Sequence, residues 1–218
     1  MCNFFSVLVL KNGDVLHHPM LDSHSDLVAH FDLPDARAHH QHFAKAELTP
    51  VDWLDPSTWK WRIDEDTRPG WLDDVERQAE EKARAVARRM ILTEQSKIPR
   101  LIVDGCWIIG GKAVVRDVRG GRILRVQDVA SLSGVGGSAR VSGVRGSAQV
   151  SGVGDSARVS DVGDSARVSD VGDSAQVSGV WGSAQVSDVG DSAQVSGVWD
   201  SAQVSGVGDS ARVSDVGD

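Results

Sequence analysis

The chain is predicted to be a small α+β domain followed by an all-β parallel β-solenoid. Three observations predict this. Composition breaks sharply along the 218 residues: all six prolines lie at or before Pro99 and all seven histidines at or before His42. From Leu132 onward, 87 residues consist almost only of Val, Ser, Gly, Asp, Ala, Arg and Gln. That stretch repeats with a period of nine, Val-Ser-Gly/Asp-Val-x-Gly/Asp-Ser-Ala-Arg/Gln, and no insertion breaks its frame.

The first elements are read from turn and cap signals. Phe4–Leu10 and Val15–His18 flank Lys11-Asn12-Gly13-Asp14, and Asn-Gly between apolar runs predicts a hairpin. Ser23 with Asp26 three residues later has the spacing of a capping box and predicts a short helix ending before Pro34. Residues 42–48 and 58–63 alternate as strands, the second placing Trp59, Trp61 and Ile63 on one face. Pro69-Gly70-Trp71 opens a longer helix in which Leu72, Val75, Ala79, Ala83, Val86 and Met90 share helical spacing. Acidic residues open it and arginines close it, as the helix dipole favours. The expected order is β-β-α-β-β-α, with the last helix expected to cap the open first rung of the solenoid, since solenoids need such cover.

The repeat predicts coils. Ala and the Val two residues later face one way along a strand. The second Val comes three after the first, so the chain must bend between them. Gly/Asp-Ser supplies a turn on the other side. Degenerate copies at Ala113–Val118 and at Ile123 and Val126 place the first rungs near Cys106-Trp107-Ile108. The resulting division is residues 1–100 as the α+β domain, 101–131 as degenerate first rungs and 132–218 as the nonapeptide solenoid. The fifth repeat position is Gly in most copies and Arg145, Trp181 and Trp199 in three, all in even copies. Trp181 and Trp199 are 18 residues apart, so two nonapeptides per coil would set them in successive rungs roughly 4.8 Å apart.

Charge and cysteine content narrow the function classes. The net charge is −8, of which the repeat from Leu132 carries −6 and the first 131 residues only −2. Nucleic acid is not an expected partner of such a surface. No apolar run is long enough to span a bilayer, and Cys2 and Cys106 make no disulfide scaffold. The N-terminal Phe-Phe-Ser-Val-Leu run lacks a signal-peptide pattern, so a cytoplasmic location without membrane contact is expected.

Met1-Cys2-Asn3-Phe4-Phe5-Ser6, Glu47-Leu48-Thr49-Pro50, Trp59-Lys60-Trp61-Arg62-Ile63-Asp64-Glu65 and Arg68-Pro69-Gly70-Trp71, followed by short Ser-Ala-Gln-Val repeats, together resemble a group of uncharacterised phage and prophage-type proteins. The resemblance implies a mobile-element accessory protein and brings no catalytic residues. The repeats are also similar in style to bacterial hexapeptide and pentapeptide solenoids but differ in period. The Met-Cys start is similar to the Met-Cys-Gly start of class II glutamine amidotransferases, with Asn3 in place of the Gly and a much shorter domain.

Candidate sites follow from residue chemistry. Cys2 is a candidate nucleophile, because an N-terminal thiol has its own amine as base; the competing reading is a small buried residue. His24, His39 and His42 are the metal candidates in a His- and Asp-rich segment, with zinc the ion considered, although no spacing matches a zinc signature. Calcium is considered for the Asp corners, but the repeat lacks the Gly-x-Gly-x-Asp order of calcium-binding nonapeptides. No cofactor is therefore the leading expectation. Trp181, Trp199 and Arg145 are the partner-binding candidates, for a protein or a ring-shaped ligand. The leading function is a non-enzymatic interaction or structural protein using the solenoid as rigid spacer or binding wall, with end-to-end or side-by-side self-association among the options. The alternatives are a small enzyme built on Cys2 or the His cluster, and an acidic DNA mimic.

Overall fold

The computed structural model describes residues 5–34, 41–96, 102 and 104–217. Cys2, His39 and His40 lie outside the described residues. The chain divides into two compact units, residues 1–90 and 91–218.

The first unit follows the expected order. Strand β1 (Phe5–Leu10) turns through Asn12-Gly13 into the two-residue β2 (Val15–Leu16). The turn is closed by Leu10 N donating to Asp14 O at 2.9 Å and Gly13 N donating to Leu10 O at 2.9 Å, and Gly13 sits at a φ of +75°. Helix α1 (His24–His30) starts at Ser23, whose hydroxyl accepts the Asp26 N–H at 3.0 Å. Strands β3 (Phe43–Thr49) and β4 (Lys60–Ile63) complete an antiparallel sheet of order β2-β1-β3-β4. β4 begins two residues later than the alternation suggests. Asp55-Pro56-Ser57-Thr58 is instead a turn, with Thr58 N donating to Asp55 O at 3.0 Å. Helix α2 (Leu72–Arg89) buries Leu72, Ala79, Ala83 and Ala87 along one stripe. Phe5, Leu8, Leu27, Phe43, Leu48 and Trp59 are buried in this unit.

The second unit is a parallel β-solenoid of about seven turns. Strands β5 (Ile91–Leu92), β6 (Cys106–Ile109), β7 (Val114–Val118), β8 (Arg122–Val126) and β9 (Ser131–Val135) form its irregular first part. One five-residue strand per nonapeptide follows: β10 (Arg140–Val144), β11 (Gln149–Val153), β12 (Arg158–Val162), β13 (Arg167–Val171), β14 (Gln176–Val180), β15 (Gln185–Val189), β16 (Gln194–Val198), β17 (Gln203–Val207) and β18 (Arg212–Val216). Successive strands alternate between two sheets: β5, β6 and the even strands from β8 onward form one, and the odd strands from β7 form the other. Val141 pairs with Val159 and Val150 with Val168, so the coil is 18 residues. In the irregular part the offset is shorter; Val115 pairs with Leu132.

Backbone geometry explains the repeat letter by letter. The third position, Gly143 or Asp161 for example, has a φ of +61° or +53°. This left-handed residue kinks the strand and turns both flanking valines inward. The sixth position is left-handed as well, with Asp155 at +53° and Asp173 at +52°. It is the second residue of a turn closed by bonds such as Ala157 N to Gly154 O at 3.1 Å. Gly, Asn and Asp are the residues that enter this region at low cost, which is why these two positions accept only Gly or Asp. Ala and both Val of each repeat are buried from Ala139 through Val198. Each repeat buries little apolar area alone, and stability accumulates through the interfaces between neighbouring coils.

Candidate functional site

Among the described residues, each unit holds side-chain arrangements with binding chemistry. In the solenoid one is the fifth-position column of one side, Arg145-Gly163-Trp181-Trp199-Gly217. Its glycines are not left-handed, unlike the third and sixth positions, so a large residue is tolerated here without backbone strain. The Arg145 guanidinium carbon lies 4.4 Å from the centroid of the Trp181 ring. Arg145 Nη1 also donates to Val144 O at 3.2 Å and to Asp161 O. The two tryptophans fold in opposite directions along the coil axis. Trp181 lies over Gly163, where an added Cβ would come within 2.6 Å of its ring, and Trp199 lies over Gly217. Trp199 is 47% exposed, while Trp181 is half-buried. The structure thus joins Arg145 to Trp181 and directs Trp199 the other way.

The acidic corners form a second ordered feature. Asp155 Oδ2 accepts the Gly137 N–H at 2.7 Å, Asp173 Oδ2 accepts the Asp155 N–H at 2.9 Å, and Asp191 Oδ2 accepts the Asp173 N–H at 2.9 Å. Each carboxylate satisfies a corner N–H of the coil before it. A shallow groove of about 320 Å³ lies on the outer face of β10, β12 and β14, lined in part by Arg140, Ser142, Arg158, Ser160, Gln176 and Ser178. Arg158 Nε donates to Gln176 Oε1 across it at 3.3 Å.

Among the described residues of the first unit, the histidines do not form one centre. His17 stacks on Phe5 with centroids 4.3 Å apart, and burial pushes its imidazole below the usual histidine range. His18 and His30 face each other with centroids 4.5 Å apart. His42 is exposed at the entrance to β3. His24 is 4% exposed and meets two carboxylates that sequence reasoning had not paired with it, Glu47 and Asp64. His24 Nε2 donates to Ala46 O at 3.0 Å, and Nδ1 lies 3.4 Å from Asp64 Oδ2. Arg62 Nη2 reaches Glu47 Oε2 at 3.0 Å and Asp64 Oδ1 at 2.9 Å. Glu47 and Arg62 are direct cross-strand partners in the β3–β4 register, which alternation along either strand does not reveal.

No protein-family model, no curated protein and no solved structure matches the chain. Among the described residues, no helix is long and apolar enough to cross a membrane.

Proposed function

We infer that the protein is a non-enzymatic interaction protein, a cytoplasmic accessory of a mobile genetic element, whose solenoid is a rigid wall presenting the Arg145, Trp181 and Trp199 column to a protein partner. The observation that carries this reading is Trp199, an indole 47% exposed at a repeat position that is glycine in most copies. Tryptophan is the residue type most enriched among those that dominate interface energies. Rigidity is supported by the coil-to-coil ladder; Gly163 N, for example, donates to Val144 O at 2.9 Å. The mobile-element context rests on the resemblance of the N-terminal motifs alone.

The full chain and a Trp181→Ala/Trp199→Ala variant, immobilised side by side, test the reading. The expected result is a specific protein captured from bacterial lysate by the native chain and lost at least tenfold by the variant, with unchanged circular dichroism. Equal capture by both would sink it and move the contact elsewhere, the Asp corners being the first place to look. The alternative, a small enzyme, fails if Cys2→Ala and a His24/His42 double variant leave the biological effect intact.

A further inference from the structure

The solenoid reading makes no use of the cluster in the first unit. His24 begins α1, Glu47 lies within β3, and Asp64 directly follows β4. One ligand atom from each lies within 4.8 Å of the other two, the one such grouping among the described residues. His24 and Glu47 are buried. Because a carbonyl can only accept, the bond to Ala46 O fixes the proton on His24 Nε2. In the neutral ring the Nδ1 lone pair then faces Asp64. A backbone carbonyl holding the far nitrogen is the arrangement that orients a metal-ligating imidazole.

Arg62 Nη2 reaches both carboxylates, Glu47 at 3.0 Å and Asp64 at 2.9 Å, and the Arg62 side chain is 59% exposed. A positive nitrogen thus lies between the two carboxylates, where a bound cation would also lie. A divalent ion carries the charge to match two carboxylates, and the Nδ1 of His24 would supply it a nitrogen ligand.

We propose that His24, Glu47 and Asp64 bind a divalent transition ion, zinc or manganese, and that Arg62 occupies its place by charge and swings to solvent when the ion enters. One imidazole nitrogen and two carboxylate oxygens suit borderline ions, while calcium and magnesium favour all-oxygen sets. Three protein ligands leave a coordination position open to water. The site is independent of the partner-binding wall.

Calorimetric titration of the full, chelator-treated chain with Zn²⁺ and with Mn²⁺ tests this, with Co²⁺ absorption as the spectroscopic probe. The expected result is one ion per chain, weakened at least tenfold by Asp64→Asn and by His24→Gln. Asp64 lies nearer the surface, so D64N keeps the test valid if H24Q fails to fold. Arg62→Ala is expected to tighten binding several-fold by removing the competitor, an effect a merely structural ion pair would not produce. A His39→Gln/His40→Gln/His42→Gln variant should bind as the native chain does. The proposal is overturned by no stoichiometric binding, by binding that D64N leaves intact, by weaker binding in R62A, or by loss of binding in the triple histidine variant.

Discussion

Arg145 lays its guanidinium over the indole of Trp181, 4.4 Å from the ring centroid, although the two belong to coils that are not neighbours. Gly163 lies between them, and its missing side chain is what lets them meet. A Cβ at Gly163 would come within 2.6 Å of the Trp181 ring. Gly163→Ala is therefore expected to lift the indole from the guanidinium and cost about 0.5–1 kcal/mol, the range of an exposed cation–π contact. Urea unfolding of the full chain measures the loss, and Trp emission should shift to the red. Arg145→Ala should cost a similar amount, and the double variant less than the sum of the two.

The sixth-position aspartates combine a left-handed backbone with a hydrogen bond to the coil before. Asp173 has a φ of +52° and accepts the Asp155 N–H at 2.9 Å. Asp173→Gly removes the bond and keeps the conformation, so a loss of about 1 kcal/mol is expected. Asp173→Ala removes the bond and adds the left-handed penalty, about 1–2 kcal/mol more. Denaturation midpoints in the order native, Gly, Ala check the assignment; an Ala variant as stable as the Gly variant would contradict it.

His17 supplies a pH dependence with a definite sign. Burial lowers its affinity for a proton in the folded state. The unfolded chain, with an ordinary histidine near pH 6.5, takes up the proton first. The stability contributed by neutral His17 is therefore present above that pH and falls as pH drops below it. His17→Phe keeps a ring against Phe5 and should flatten this part of the profile. Chemical denaturation at pH 7.5 and 5.5, followed by Trp fluorescence, compares the slopes; equal slopes in both proteins would refute the role.

The legible parts of the fold are those set by local rules. The Asn12-Gly13 turn, the Ser23 cap and the Ala stripe of α2 each follow from a few neighbouring residues. The 18-residue coil was readable because Trp181 and Trp199 interrupt a glycine column at that interval. Two features were not readable. Ile91–Leu92 joins the solenoid sheet by pairing with Ile108 and Ile109, and two residues carry no period. The meeting of His24 with Glu47 and Asp64 depends on sheet register between β3 and β4, a tertiary relation that spacing along the chain does not encode.

The alternation of sheets has an evolutionary consequence. Each repeat is encoded by a nine-codon cassette, and near-identical cassettes recombine readily. Gain or loss of two cassettes between Arg145 and Trp181 would lengthen or shorten the stack by one turn and keep both side chains on one edge. Gain or loss of a single cassette would send Trp181 and Trp199 to the opposite edge from Arg145 while leaving every buried Val and Ala in place. Slippage during replication can thus relocate the aromatic patch without disturbing the core beneath it.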